Sequence, residues 1–389
     1  MTQTATYAKP HRRMVARDPH EAHRISTPLE LFFDLCFVVA IAQAGSCLHH
    51  GIAHAHFGQA VGNFLLLFFA IWWAWMNFTW FASAYDCDDA PYRIKTFIQM
   101  AGALVIAAGV PRAFEHGQWW IIVLGYAIAR VGLIASWLRA AASDPARRKT
   151  ARRMAGALSV VQVLWIAAAF LPSDRFIYAW FALVLLELAV PIWAERAGAT
   201  PWHPHHIAER YGLLTLIVLG ESVLAATLAI QAALDDAHAT PVLLSVIAGG
   251  ILVLFAMWWL YFDREPHGPT ETGAQAFLWG YGHFVIFAAA AAVGAGLAVA
   301  VDYSVHKAHI STAQAGAAVA VPVALYVLMT WLVRIRALHL GIVVSVACWL
   351  AIALTLLAAL SSWAVLIIGA VLCGLCVVLS RAVPKPSRH

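Results

Sequence analysis

Twelve apolar blocks of about 20 residues leave this chain one environment in which to fold. They run over 29–49, 57–83, 92–111, 119–141, 151–171, 176–194, 207–231, 242–262, 273–301, 312–333, 338–358 and 362–379. A helix needs roughly 20 mostly apolar residues to cross a bilayer. In lipid, backbone N–H and C=O groups must also be satisfied within the spanning segment itself. The expected fold is therefore all-α, a polytopic transmembrane helical bundle of about twelve spans. Composition agrees: 62% of the residues are hydrophobic and 12% charged, against about a quarter charged in soluble domains.

The charges predict an orientation. With both termini and the even-to-odd loops on one side, that side holds all but four of the 25 Lys and Arg residues. The exceptions are Arg112, Arg175 and Lys307 opposite, and Arg130 within a span. By the positive-inside rule this side is the cytoplasm. The first 28 residues are polar and show no cleavable leader. The expected organisation is a cytoplasmic basic tail (1–28), a first six-span half (29–194), a cytoplasmic connection (195–206), a second six-span half (207–380) and a cytoplasmic tail (381–389). The net charge of +5 then faces anionic headgroups, and no nucleic-acid partner is expected.

The halves share weak internal similarity. Spans 1 and 7 open with Glu30 and Glu209, continue through branched aliphatics and end at Gln43 and Glu221. Spans 2 and 8 carry Trp72, Trp73 and Trp75 or Trp258 and Trp259, ahead of Asp86, Asp88 and Asp89 or Asp263 and Glu265; spans 3 and 9 bring Gln99 and Gln275. An even number of spans per half predicts a parallel repeat, related by an axis along the membrane normal.

Ionisable groups at membrane depth cost about 2.5–3.5 kcal/mol each on insertion scales. Those here are Glu30, Asp34, Arg130, Glu187, Glu209, Glu221 and His283. Glu30 and Asp34, four apart, share a helical face, and adjacent carboxylates in low dielectric suit a shared proton or a cation. Glu30 reads equally as a helix N-terminal cap, whereas Asp34 lies a turn deeper. Glu221, mid-span after Gly220, is the deepest acid. Arg130 stays charged and needs an acid such as Asp34, Glu187 or Glu221; that pair reads as structural or functional alike. His283 reads as a proton relay or as a hydrogen-bonded core histidine.

Weaker candidates for metal binding are His49, His50, His54 and His56 in the first outer loop and Asp86, Asp88 and Asp89 in the first inner one. For the aspartates the competing reading is a salt-bridged loop beside Arg93 and Lys95. His203, His205 and His206 read as interfacial. No phosphate loop, dinucleotide fingerprint, HExxH or nucleophile elbow is present, so no cofactor is expected.

The segments LELFFDLCFVVAIAQ (29–43), FASAYDCDDAPYRIKTFIQM (81–100), HIAERYGLLTLIVLGESV (206–223) and WWLYFD (258–263) together resemble the bacterial low temperature requirement A (LtrA) family. Cys36 and Cys87 depart from the pattern. The resemblance implies a multi-pass protein of the bacterial inner membrane, and a family name taken from growth in the cold. It implies no particular chemistry.

Three functions follow from the residues. The first is a proton- or cation-coupled secondary transporter of a small solute, with Asp34 and Glu221 coupling and Arg130 as charge partner. The second is a membrane-embedded enzyme acting on lipid or lipid-linked envelope precursors. The third, a scaffold or sensor, ranks last. The expected partners are the bilayer, a proton or small cation, a small solute and, in an oligomer, further copies of the chain.

Overall fold

The computed structural model describes residues 12–19, 21, 24–236, 240–264 and 273–382. Lys9, Glu265, Lys385, Arg388 and the side chain of Gln275, all used in the sequence reading, lie outside the described residues. Within them the chain forms twelve α-helices and no strand. These are α1 (Pro28–Ala53), α2 (Phe57–Tyr85), α3 (Ala90–His116), α4 (Trp120–Ser143), α5 (Arg148–Ala168), α6 (Ser173–Glu195), α7 (Pro204–Asp236), α8 (Pro241–Phe262), α9 (Gly273–Ser304), α10 (Thr312–Thr330), α11 (Ile342–Ala358) and α12 (Ala364–Arg381).

Ten of the twelve are long and apolar enough to cross a membrane. The two that fall short do so for different reasons. The first turns of α5 carry Arg148, Lys149, Arg152 and Arg153, while α11 is apolar but only 17 residues long. After α10 the chain widens into a π-turn at Trp331–Ile335 and then tightens through a 3₁₀ turn at Arg336–Leu338.

Local sequence sets the helix ends. Asp89 caps α3 by accepting from the Tyr92 N–H, with Pro91 in the first turn, and Gly117 closes that helix at φ +65°, where a side chain would be strained. Ser311 and Gln314 form a reciprocal capping box on α10, and Thr240 caps α8 ahead of Pro241.

The chain divides into two compact units, Met1–Ala40 with Ala70–Arg210, and Ile41–Phe69 with Tyr211–His389. The divisions fall inside α1, α2 and α7. Residues 41–69, which belong to the first half by sequence order, group with the second unit.

In the first unit α3, α4, α5 and α6 pack in chain order. A Cβ on Gly102 would lie 2.5 Å from the Gly125 carbonyl oxygen, and one on Gly125 would lie 2.7 Å from that of Gly102. Backbones in direct contact give α3 and α4 the close approach that small residues allow in membranes. In the second unit α8 packs on α12 and α9 on α10.

One expectation needs correction, and two arginines lie deeper than their count on the cytoplasmic side implies. Arg24 and Arg210 are buried, Arg210 completely. The tail is not free: the Arg17 N–H donates to the Ala84 carbonyl at 2.9 Å, Met14 is buried, and the Ser26 N–H donates to Glu209 at 3.1 Å. α7 starts at Pro204, so His206 lies within its first turn and is fully buried rather than interfacial.

Candidate functional site: a buried ladder of acids and bases

In the first unit α1 supplies two carboxylates and α7 a histidine and an arginine, each pair four residues apart. Four residues of helix rise about 6 Å, so the pairs meet as two rungs. On the first, His206 Nε2 stands 3.1 Å from Glu30 Oε1. On the second, Arg210 Nη2 donates to Asp34 Oδ1 at 2.6 Å, and Trp75 Nε1 donates to the same oxygen at 2.6 Å. All four ladder side chains are fully buried.

Glu30 caps α1 with one carboxylate oxygen and leaves the other free to face the ladder. Its Oε2 accepts from the Thr27 N–H at 2.8 Å and the Thr27 hydroxyl at 2.9 Å, while its own N–H donates back to that hydroxyl at 3.3 Å. With Pro28 first in the helix this is a capping box. Its other oxygen is left to face His206, with Arg24 at 3.8 Å.

The ladder continues outward through Arg24, which also reaches Asp86 at 3.5 Å. Arg17, 28% exposed, stands 3.9 Å from the same carboxylate. Burial, with help from the charge of Glu30, pushes Asp86 up to about 6, against the pull of Arg24 and Arg17. A line of alternating acids and bases thus leads from the unit's surface to Asp34.

The ladder is under-satisfied. Asp34 Oδ2, Arg210 Nε and Nη1, Arg24 Nε and both ring nitrogens of His206 are buried without a hydrogen bond. Buried polar atoms in native proteins are nearly always partnered, and each exception asks for an explanation.

Arg130 takes Glu187 among the acids open to it, at 2.6 Å. Glu187 also accepts from Trp73 Nε1 at 2.8 Å, Trp165 Nε1 at 3.1 Å and the Tyr126 hydroxyl at 3.2 Å, so both of its oxygens are occupied. Arg130 lies 4.8 Å above the Tyr126 ring and donates to its hydroxyl at 2.6 Å. Asp34 and Arg130 therefore belong to separate ion pairs.

Of the three remaining candidates, Glu209 accepts from the Ser26 N–H in the first unit, and the second unit holds the other two. Glu221 is half-exposed and lines a cavity of about 220 Å³ with Ser222, Ser46 and His49. Among the described residues it has no ion-pair partner. His283 is packed against Tyr211, Trp279 and Phe287, with Nδ1 2.8 Å from the Trp279 carbonyl and Nε2 3.1 Å from the Tyr261 hydroxyl. That is the geometry of the hydrogen-bonded core histidine.

The weak metal candidates are not assembled. His49 pairs with Asp302 at 2.7 Å, and His50 and His54 turn back to carbonyls one helical turn earlier. Asp88 pairs with Arg93, and Asp89 with Arg139 and the Arg12 N–H. Burial raises the cost of ionising Asp89, yet Arg139 and the N–H groups of Arg12 and Tyr92 hold it below the usual carboxylate range. No three His, Cys, Asp or Glu side chains converge on a metal-sized site among the described residues.

His206 and Arg210 escaped the sequence reading of the site, although their four-residue spacing matches that of Glu30 and Asp34. Trp73, Trp75 and Trp165 escaped it too, since tryptophan in such a chain points first to the lipid interface.

Twelve helices, ten of them able to span a bilayer, and charges buried among them define a multi-pass helical membrane protein. The chain belongs to the bacterial low temperature requirement A protein (LtrA) family, whose pattern matches residues 25–380. It is 28% identical over 329 residues to "Uncharacterized protein RA0937" of Rhizobium meliloti (strain 1021), covering 79% of this chain and 78% of that one. No solved structure matches it.

Proposed function

We propose that this chain is a proton- or cation-coupled secondary transporter of a small solute, crossing the bacterial inner membrane twelve times with both termini in the cytoplasm. One observation carries the reading: the Glu30–His206 and Asp34–Arg210 rungs are fully buried, yet leave polar atoms unpartnered. A carboxylate kept only for structure would be expected to have both oxygens hydrogen-bonded, because open ones cost about 1–3 kcal/mol each; Glu30 Oε1 and Asp34 Oδ2 are open. Open ones are what a group needs if it must exchange a proton or admit an ion. The imidazole of His206 is a side chain that can take up and release a proton, and Arg24 and Asp86 extend the line towards the surface. Glu221, beside its cavity in the second unit, is a second acid placed to meet a cation.

Charge alternation supports the orientation, with α5 and α11 the two weakest spans. The lipid-enzyme reading gains no such support, since Asp86, Asp88 and Asp89 all face arginines.

The test is proton movement in proteoliposomes under an imposed potassium diffusion potential, followed by an internal pH dye. Wild-type protein should move protons. Asp34→Asn and Glu221→Gln, checked for monodispersity and thermal midpoint, should each lower the rate by at least about tenfold. Should Asp34→Asn fail to fold, the paired Asp34→Asn/Arg210→Gln variant, which leaves no lone buried charge, takes its place. Wild-type flux in a folded variant of each site would remove the coupling role.

A further inference from the structure

α5 and α6 of the first unit frame a surface groove of about 970 Å³ that the transport reading does not use. That volume is at the upper end of the roughly 300–1,000 Å³ typical of ligand sites. One end is basic: Arg148, Lys149, Arg152 and Arg153 occupy the first two turns of α5, and the Arg153 guanidinium lies 4.9 Å over the Trp193 ring at the end of α6. Arg148 spends one N–H on the Ala141 carbonyl. Lys149 and Arg152 are exposed.

From that end the groove turns apolar. Val160 and Leu164 line one wall, Leu186 and Ala189 the other. From Arg153 to Leu164 is eleven residues, or about 16 Å of helix. The hydrocarbon core of one leaflet is half of about 30 Å. The groove is therefore as deep as one acyl layer, with its cations and an interfacial tryptophan where headgroups lie. Gly156 helps to keep it open: a Cβ there would meet no atom within 4 Å.

We propose that this groove is a specific site for an anionic phospholipid, with the phosphate held by Lys149, Arg152 and Arg153 and an acyl chain laid between α5 and α6. A zwitterionic lipid would fill the apolar part equally well, so charge complementarity at the basic end is what selects the ligand. A free phosphate would satisfy the basic end and leave the apolar length unused.

Native mass spectrometry of the full chain in detergent tests this, with phosphatidylglycerol, phosphatidylethanolamine and inorganic phosphate as probes. Wild type should retain phosphatidylglycerol at least about tenfold better than phosphatidylethanolamine, the preference expected of a few juxtamembrane cations. Lys149→Gln/Arg152→Gln should erase that preference while leaving total lipid binding. Gly156→Leu, whose side chain enters open space and suits a helix, should displace phosphatidylglycerol without lowering the thermal midpoint. Equal retention of the two lipids would show annular lipid only. Displacement by inorganic phosphate, or indifference to Gly156→Leu, would show an ion site without a lipid groove; either result overturns the proposal.

Discussion

The first unit contains two buried arginine–carboxylate pairs that look alike and are finished differently. Arg130–Glu187 and Arg210–Asp34 both close at 2.6 Å, and in each a tryptophan from α2 donates to the same carboxylate. Glu187 then adds Tyr126 and Trp165 and has both oxygens occupied. Asp34 keeps Oδ2 open and Arg210 keeps two nitrogens open, against one, Nη1, on Arg130. Burial and charge are matched, so the difference lies in how fully the carboxylate is saturated. Removing one partner of a buried pair is costly because the other charge is stranded, while the intact pair adds little net stability. A saturated carboxylate is thus a lock, and an open one a place where something else can bind.

The largest expected effect exploits this. Glu187→Gln leaves Arg130 with no acid among its hydrogen-bond partners and gives three O–H and N–H donors a weaker acceptor, so it should cost about 3–5 kcal/mol. Asp34→Asn should cost less, since the field of Glu30 still reaches Arg210, while removing proton movement. Thermal midpoints of the two variants, measured in one detergent, decide the matter. Equal losses would erase the distinction between lock and binding place.

Part of this site was legible in the sequence and part was not. Glu30 and Asp34 stood out because acids inside an apolar run are conspicuous. Their partners did not, because His206 falls just before the apolar block at 207–231 and Arg210 in its first turn, where charged residues resemble the end of a loop. Hydropathy finds the lipid-facing length of a helix, whereas the first turns of α7 are covered by protein. Arg24 was hidden in the same way: a tail residue is taken as solvated unless the chain is known to fold back over the unit. Arg130 was predicted to need an acid, but three acids could have met it, and choosing Glu187 takes three dimensions. The twelve helices were legible almost throughout, since each coincides with an apolar block, although that of α5 begins with basic residues and that of α11 is short.

A smaller effect concerns the outer end of the ladder. Asp86 sits near 6 in the folded chain against 3.8 in an unfolded one. Between those values the folded state binds the extra proton. Its stabilising share is therefore complete below about pH 4 and is lost as pH rises through 6. Asp89, held low by Arg139, acts oppositely, adding stability above the ordinary carboxylate range and losing it in acid. Asp86→Asn should cancel the first slope alone. The midpoint of that variant minus that of wild type should grow by roughly 2–5 °C between pH 5 and pH 7. A gap that stays level or narrows would mean Asp86 is charged in the folded protein throughout, and that the ladder ends at Glu30.

The smallest effect separates the two pairs through their tryptophans. Trp73→Phe and Trp75→Phe remove the same volume from fully buried positions on one helix, so the loss of packing nearly cancels between them. What remains is one N–H donor to a carboxylate, a bond of about 1.5–3 kcal/mol when the acceptor is charged. Glu187 keeps three donors after losing Trp73, while Asp34 keeps Arg210 alone after losing Trp75. Trp75→Phe should therefore be the less stable variant, by about 1 kcal/mol, and the only one to shift the pH dependence of proton movement. If Trp73→Phe moved that dependence as far, the Glu187 pair would share in coupling, and saturation would not be what distinguishes the two sites.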